Sequence, residues 1–173
     1  NTTVLMTQDR NASATFLINS YALSVSAVTT GGGVSSPGSH NHGTQATITA
    51  TPQTGYSFIG WGGEGIADVN ASTTTVDMTQ DRNVSASFSI NRYTLLASAV
   101  TGGSVTGSGT FDWNSSVPIS ATSSVGYQFT GWVGTSITNP SDTNTTVLMT
   151  QDRNASATFL INSYALSISA GSA

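Results

Sequence analysis

The residues best placed to do chemistry are asparagines. Seven of them, Asn1, Asn11, Asn70, Asn83, Asn114, Asn144 and Asn154, open an Asn-x-Ser/Thr triplet, the acceptor pattern for N-linked glycans. The last six each have an aspartate two residues earlier: Asp9, Asp68, Asp81, Asp112, Asp142 and Asp152. Those are six of the seven aspartates in the chain. Three readings stand side by side. Asp and Asn both favour turns, so the pairing can be plain turn polarity. Asp-x-Asn-x-Ser also offers alternate oxygens to calcium. The full calcium loop, however, needs a Gly and a bidentate Glu at set positions, and neither follows here. The third reading makes the asparagines glycosylation sites whose acceptor pattern includes the acid.

Other candidates are sparse. His40-Asn41-His42 on a strand would point two imidazoles the same way, a spacing that binds metal. No third ligand is evident, and counting from Trp61 and Trp132 the two histidines correspond to Phe111 and Trp113. Trp113 is the best candidate for a sugar-stacking platform. Glu64 and Asp77 are the acidic residues outside the Asp–Asn pattern, whereas general acid–base chemistry usually takes a placed pair. No Gly-x-Ser-x-Gly or comparable nucleophile motif occurs. The expectation is a chain that is not an enzyme and uses no metal and no cofactor.

Composition narrows the classes further. The 173 residues include no cysteine and no lysine, and only 7% are charged, against about 25% in ordinary soluble domains. Serine and threonine together number 55. Four arginines cannot build the basic stripe of a nucleic-acid binder. No apolar run is long enough to span a membrane as a helix. Without cysteine there are no disulfides, thiolate metal sites or thioesters. Without lysine there are no Lys–Asn isopeptide cross-links.

Internal repetition organises the chain. Residues 1–20 and 144–163 are identical at all twenty positions, and residues 73–92 match them at fourteen of twenty. Each copy is followed by Tyr-x-Leu: Tyr21-Ala22-Leu23, Tyr93-Thr94-Leu95 and Tyr164-Ala165-Leu166. One unit therefore runs over 21–92 and a second over 93–163. Residues 1–20 read as the C-terminal part of a preceding repeat, and 164–173 as the first strand of a following one. Copies two units apart are identical while adjacent copies differ, as if an alternating pair had been duplicated as a block.

Each unit reads as strands. Period-two alternation marks 21–28, 45–52, 55–61, 73–78 and 83–90, with a short strand near Val34 after the glycines at 31–33. The second unit repeats the scheme at 93–100, 116–122, 126–132, 144–149 and 154–161. No stretch has helical periodicity. Thr79-Gln80-Asp81-Arg82 reads as the turn of a hairpin. The recurring aromatics Tyr56, Phe58, Trp61 and Phe88, with Tyr127, Phe129, Trp132 and Phe159, are expected in the core. The last strand of one unit runs almost directly into the first strand of the next, which predicts an extended, semi-rigid rod stabilised partly by neighbour contacts.

The order Tyr-x-Leu…Gly-Gly-x-Val…Thr-Ala-Thr-Pro…Gly-Tyr-x-Phe-x-Gly-Trp…Thr-Val-x-Met-Thr-x-Asp-x-x-Val-x-Ala-x-Phe resembles the divergent InlB B-repeat family, within the Listeria–Bacteroides repeat group. The resemblance covers essentially the whole chain. It implies an all-β protein of tandem small antiparallel modules related to the β-grasp fold, found in series on bacterial surface and secreted proteins, with no catalytic residues. In one departure, Ser123-Ser124-Val125-Gly126 replaces the Thr-Pro turn, which predicts a looser turn there. The Asp-x-Asn-x-Ser/Thr pattern resembles the extended acceptor of bacterial oligosaccharyltransferases. Together these features predict an extracellular or cell-surface bacterial segment, N-glycosylated, serving as the stalk or shaft of an adhesin. Its partners would be neighbouring repeats of the same chain. The alternative is a self-assembling fibre of identical subunits, joined by strand addition at incomplete ends.

Overall fold

The structure, a computed structural model, describes residues 3–35 and 37–169. They contain strands and no helix. The first seven strands are β1 (Ser20–Ala27), β2 (Gly32–Val34), β3 (Gly38–Asn41), β4 (Thr44–Pro52), β5 (Tyr56–Gly62), β6 (Thr73–Met78) and β7 (Arg82–Ile90). The next seven are β8 (Arg92–Ala99), β9 (Gly103–Thr106), β10 (Gly109–Asp112), β11 (Ser115–Ser123), β12 (Tyr127–Gly134), β13 (Asn144–Met149) and β14 (Arg153–Ile161). By contacts the chain divides into two compact units. One runs from the start to Val28 and adds Gly33–Thr51 and Ile59–Ser87; the other comprises Thr29–Gly32, Pro52–Phe58 and the chain from Phe88 onward.

Alternation places the core. On β4, Ala46, Ile48 and Ala50 are buried while Gln45, Thr47 and Thr51 face water. On β7, Val84, Ala86 and Phe88 are buried. Leu23, Trp61, Val76 and Met78 complete the buried apolar set of the first seven strands. Leu95, Val117, Ile119, Ala121, Trp132, Val147, Met149, Ala155 and Ala157 form the corresponding set in the second seven, with Phe159, the counterpart of Phe88, only partly buried against it.

Each set folds into a four-stranded and a three-stranded sheet, ordered β3-β1-β7-β5 with β2-β4-β6, and β10-β8-β14-β12 with β13-β11-β9. Antiparallel ladders join β1 to β3, β4 to β6, β11 to both β9 and β13, and β12 to β14. One pair in each set departs from the antiparallel expectation. The first strand runs parallel to the last, from Leu23↔Arg82 to Ala27↔Ala86 and from Leu95↔Arg153 to Ala99↔Ala157. Parallel neighbours need a long crossover, and here the crossover is the five intervening strands.

Two sequence expectations are corrected. The turn at 79–81 is not a hairpin, because β6 pairs with β4 while β7 pairs with β1 and β5. Composition identified a turn correctly, but each flanking strand has one apolar face. That pattern does not say which strands pair, and the two lie in different sheets. The Ser-Ser-Val-Gly turn is not looser either. Ser124 N donates to Gly102 O at 2.8 Å and Tyr127 N to Ser124 O at 3.0 Å, as Gln53 N does to Gly31 O and Tyr56 N to Gln53 O. These bonds use backbone atoms, so proline is dispensable.

The glycine pair after the first strand of each set has a packing reason. A Cβ at Gly31 would stand 2.1 Å from the Tyr56 ring, and one at Gly32 would stand 2.3 Å from the Phe88 ring. Gly102 and Gly103 stand in the same relation to Tyr127 and Phe159. The aromatic rings lie directly on backbone that carries no side chain.

Candidate glycan-acceptor sites

Asn1 lies outside the described residues. The other six acceptor asparagines are all exposed. Asn11 sits in a segment without strands. Asn70 is in the turn between β5 and β6, Asn83 is the second residue of β7, and Asn154 is the second residue of β14. Asn114 follows β10 in the left-handed region, at φ 64°, a conformation that Asn tolerates better than most residues. Asn144 opens β13, and its Oδ1 accepts from Ser120 Oγ at 2.7 Å. Two open hollows border acceptors. One of about 240 Å³ is lined by Glu64, Asp81, Arg82 and Asn83; the other, of about 390 Å³, is lined by Thr106, Ser120, Asn144 and Thr146.

The aspartates two residues upstream each have work within the fold, Asp9 in the strandless segment excepted. Asp81 Oδ1 accepts from Ala22 N at 2.8 Å, and Asp152 Oδ1 accepts from Thr94 N at 2.7 Å. Both bonds fall one residue before the parallel ladder begins, so these carboxylates pin the first strand to the last. Asp68 Oδ1 accepts from Asn70 N at 2.9 Å and closes the turn on itself. In the second set Asn139 does the same for Ser141 N at 3.3 Å. Asp112 pairs with Arg92, Nε to Oδ1 at 3.1 Å. Asp142 Oδ2 accepts from Asn139 Nδ2 at 2.5 Å.

The remaining candidates do not converge. His40 is on β3, whereas His42 lies in the turn after it, so the two are not on one strand. His42 instead meets Tyr21 edge-on, ring centres 5.8 Å apart. Among the described residues no group of three or more His, Cys, Asp or Glu comes together. Glu64 reaches Arg82 at 3.4 Å, and Asp77 is exposed on β6. Trp113 is half-buried, with its indole lying over Gly55 rather than standing free as a platform.

The structure buries Trp61, Trp132 and Phe88 and leaves Tyr56, Phe58, Tyr127, Phe129 and Phe159 half-buried. Trp61 Nε1 donates to Ala71 O, and Trp132 Nε1 donates to Asp142 O, both at 3.0 Å. Phe58 meets Phe88 edge-on at 6.0 Å, and Phe129 meets Phe159 at 5.9 Å.

One residue that ties strands together escaped the sequence reading. Asn91, the single residue between β7 and β8, donates its N–H to Gly55 O and accepts from Trp113 N, both at 2.8 Å. Its Oδ1 accepts from Ser57 Oγ at 2.6 Å. The available signal was the Asn that precedes Ser/Arg-Tyr at the end of every copy.

The family description of the divergent InlB B-repeat domain matches residues 21–92 and 93–163. The chain belongs to that family and consists mainly of two such domains in tandem. Neither a curated protein nor a solved structure matches it. Among the described residues no helix is long and apolar enough to cross a membrane.

Proposed function

We propose that this chain is a structural, extracellular segment of a bacterial surface protein, the stalk or shaft of an adhesin, and that it carries N-linked glycans. The observation that supports the mechanical reading is the parallel closure of each repeat. Tension along the chain enters at the start of β1 and leaves at the end of β7. Because the two strands are parallel neighbours, those points lie at opposite ends of one ladder. The ladder is loaded in shear, so its hydrogen bonds must fail together rather than unzip one by one. β8 and β14 repeat the arrangement.

Single-molecule stretching of the whole chain tests this. The expected trace has two force peaks, each followed by release of a contour of roughly 240 Å less the folded span of a repeat, from about 3.3–3.6 Å per residue. Smooth extension without peaks would overturn the reading.

The exposure of every described acceptor asparagine supports the glycans. They would offset two weaknesses of this surface: little charge to resist association, and sheet edges that template aggregation. Asp68→Asn is the discriminating variant, because Asn139 already closes the equivalent turn with an amide. Glycopeptide masses from the native host should show Asn70 modified in the parent and unmodified in the variant. Unmodified peptide at all seven asparagines in the parent overturns the proposal.

A further inference from the structure

The backbone of Asn91 is a two-sided clasp. Within the second compact unit its N–H holds Gly55 O and its C=O holds Trp113 N. Gly55 has φ +84°, and a Cβ added there would stand 2.1 Å from Trp113 Cδ2. The indole is therefore seated on bare glycine backbone.

The same asparagine occurs twice more, and each occurrence shows one half of the clasp. Asn162 N donates to Gly126 O at 2.7 Å. Gly126 has φ +85°, the conformation of Gly55, yet a Cβ added there would meet nothing within 4 Å. Among the described residues no ring lies on this seat. His42 N donates to Asn19 O at 2.7 Å, which is the Trp113 half. Residues 1–20 and 144–163 are identical, so Asn19 and Asn162 are the same position of the same segment. Overlaying the two halves gives Gly126, Asn162 and His42 in the relation that Gly55, Asn91 and Trp113 already have.

We propose that the Gly126–Asn162 surface is a docking seat for the Asn41–Gly43 turn of a further copy of the 21–92 repeat joined after Ser163, with its imidazole over Gly126 as the indole lies over Gly55. Residues 164–169 match 21–26 at five of six positions, so the chain after Ser163 carries the sequence that leads into such a repeat. Alternating repeats then have alternating clasps, one closed by indole and one by the smaller, more polar imidazole. The inference holds whether or not the chain serves as a stalk.

The test extends the whole chain after Ser163 with a second copy of residues 21–92, with the original His40 and His42 and the copy's own His40 changed to Gln, so that the one imidazole left is the new one. The expected nuclear Overhauser spectrum connects that imidazole to the α-protons of Gly126, as it connects the Trp113 indole to those of Gly55. If the Gly55 contact appears and the Gly126 contact does not, the proposal is overturned. If neither appears, the template fails and the proposal with it.

Discussion

Two adjacent glycines on β2 should respond to the same substitution with opposite signs. At Gly32 an added Cβ would lie 2.3 Å from both Cε1 and Cζ of Phe88, and 2.7 Å from Cδ1. Carbon atoms pack best at about 3.5–4.0 Å, so the ring would have to withdraw by more than about 1 Å. Phe88 is buried and backed by Phe58, which leaves it little room to move. Overpacking of this kind costs about 1–3 kcal/mol. For a repeat of this size that corresponds to a loss of roughly 5–20 °C in Tm. At Gly33 nothing lies within 4 Å of the new Cβ and φ is not in the left-handed region. There, Gly→Ala mainly restricts the unfolded chain and should stabilise by about 0.4–1 kcal/mol. Urea and thermal unfolding of the two variants, followed by circular dichroism, measure the difference. Adding Phe88→Leu should then recover part of the Gly32→Ala loss, with a coupling of about 1 kcal/mol or more. If Gly32→Ala and Gly33→Ala unfold within about 0.5 kcal/mol of each other, a margin typical of unconstrained surface changes, the packing argument is wrong. Gly103 and Phe159 offer an independent repetition at 2.2 Å.

Asp152→Ala should cost about 1 kcal/mol, the usual net worth of one hydrogen bond, and should speed hydrogen exchange at the Thr94 amide; unchanged exchange there would show that the carboxylate does not pin β8. Met149 is fully buried, whereas Met6, the same residue of the identical segment, is 66% exposed. Met149→Ala should therefore cost about 2–5 kcal/mol and Met6→Ala less than about 0.5 kcal/mol, as read by denaturant midpoints; equal effects would refute the distinction.

The long strands were legible because burial on one face writes a period of two into the sequence. The reading 45–52 compares with β4 at Thr44–Pro52, and 73–78 coincides with β6. β3 and β10 left no such signal. Gly38-Ser39-His40-Asn41 and Gly109-Thr110-Phe111-Asp112 are short and bury nothing fully; they are strands because β1 and β8 offer them an edge. Pairing was also invisible. Alternation says that β1 and β7 each have an inner face, but not that they lie side by side in parallel. The site was legible as residue types only. Exposure of Asn70 or Asn114 follows from turn composition. That Asp81 holds Ala22, 59 residues away, needs the topology first.

The identical segments at the two ends of the chain isolate what makes a strand here. In 144–163 the residues form β13 and β14, and Val147 and Met149 are fully buried. In 3–19 the same residues form no strand, and Phe16 is 92% exposed. Intrinsic preference cannot differ between them, so the difference lies in partners. β13 needs β11, and β14 needs β12 on one side and β8 on the other; the described residues offer 3–19 no counterparts of these. Strand preference is a fit to a pleated, half-buried surface, and that surface exists only when the partner strands are in place. The partner strands of a repeat, the parallel first strand among them, are thus what let its final strands form, and on the proposed mechanical reading that parallel pair is where tension on the chain would be met. On the proposed mechanical reading, variants that weaken Leu23–Ala27 against Arg82–Ala86 should lower stability and unfolding force together.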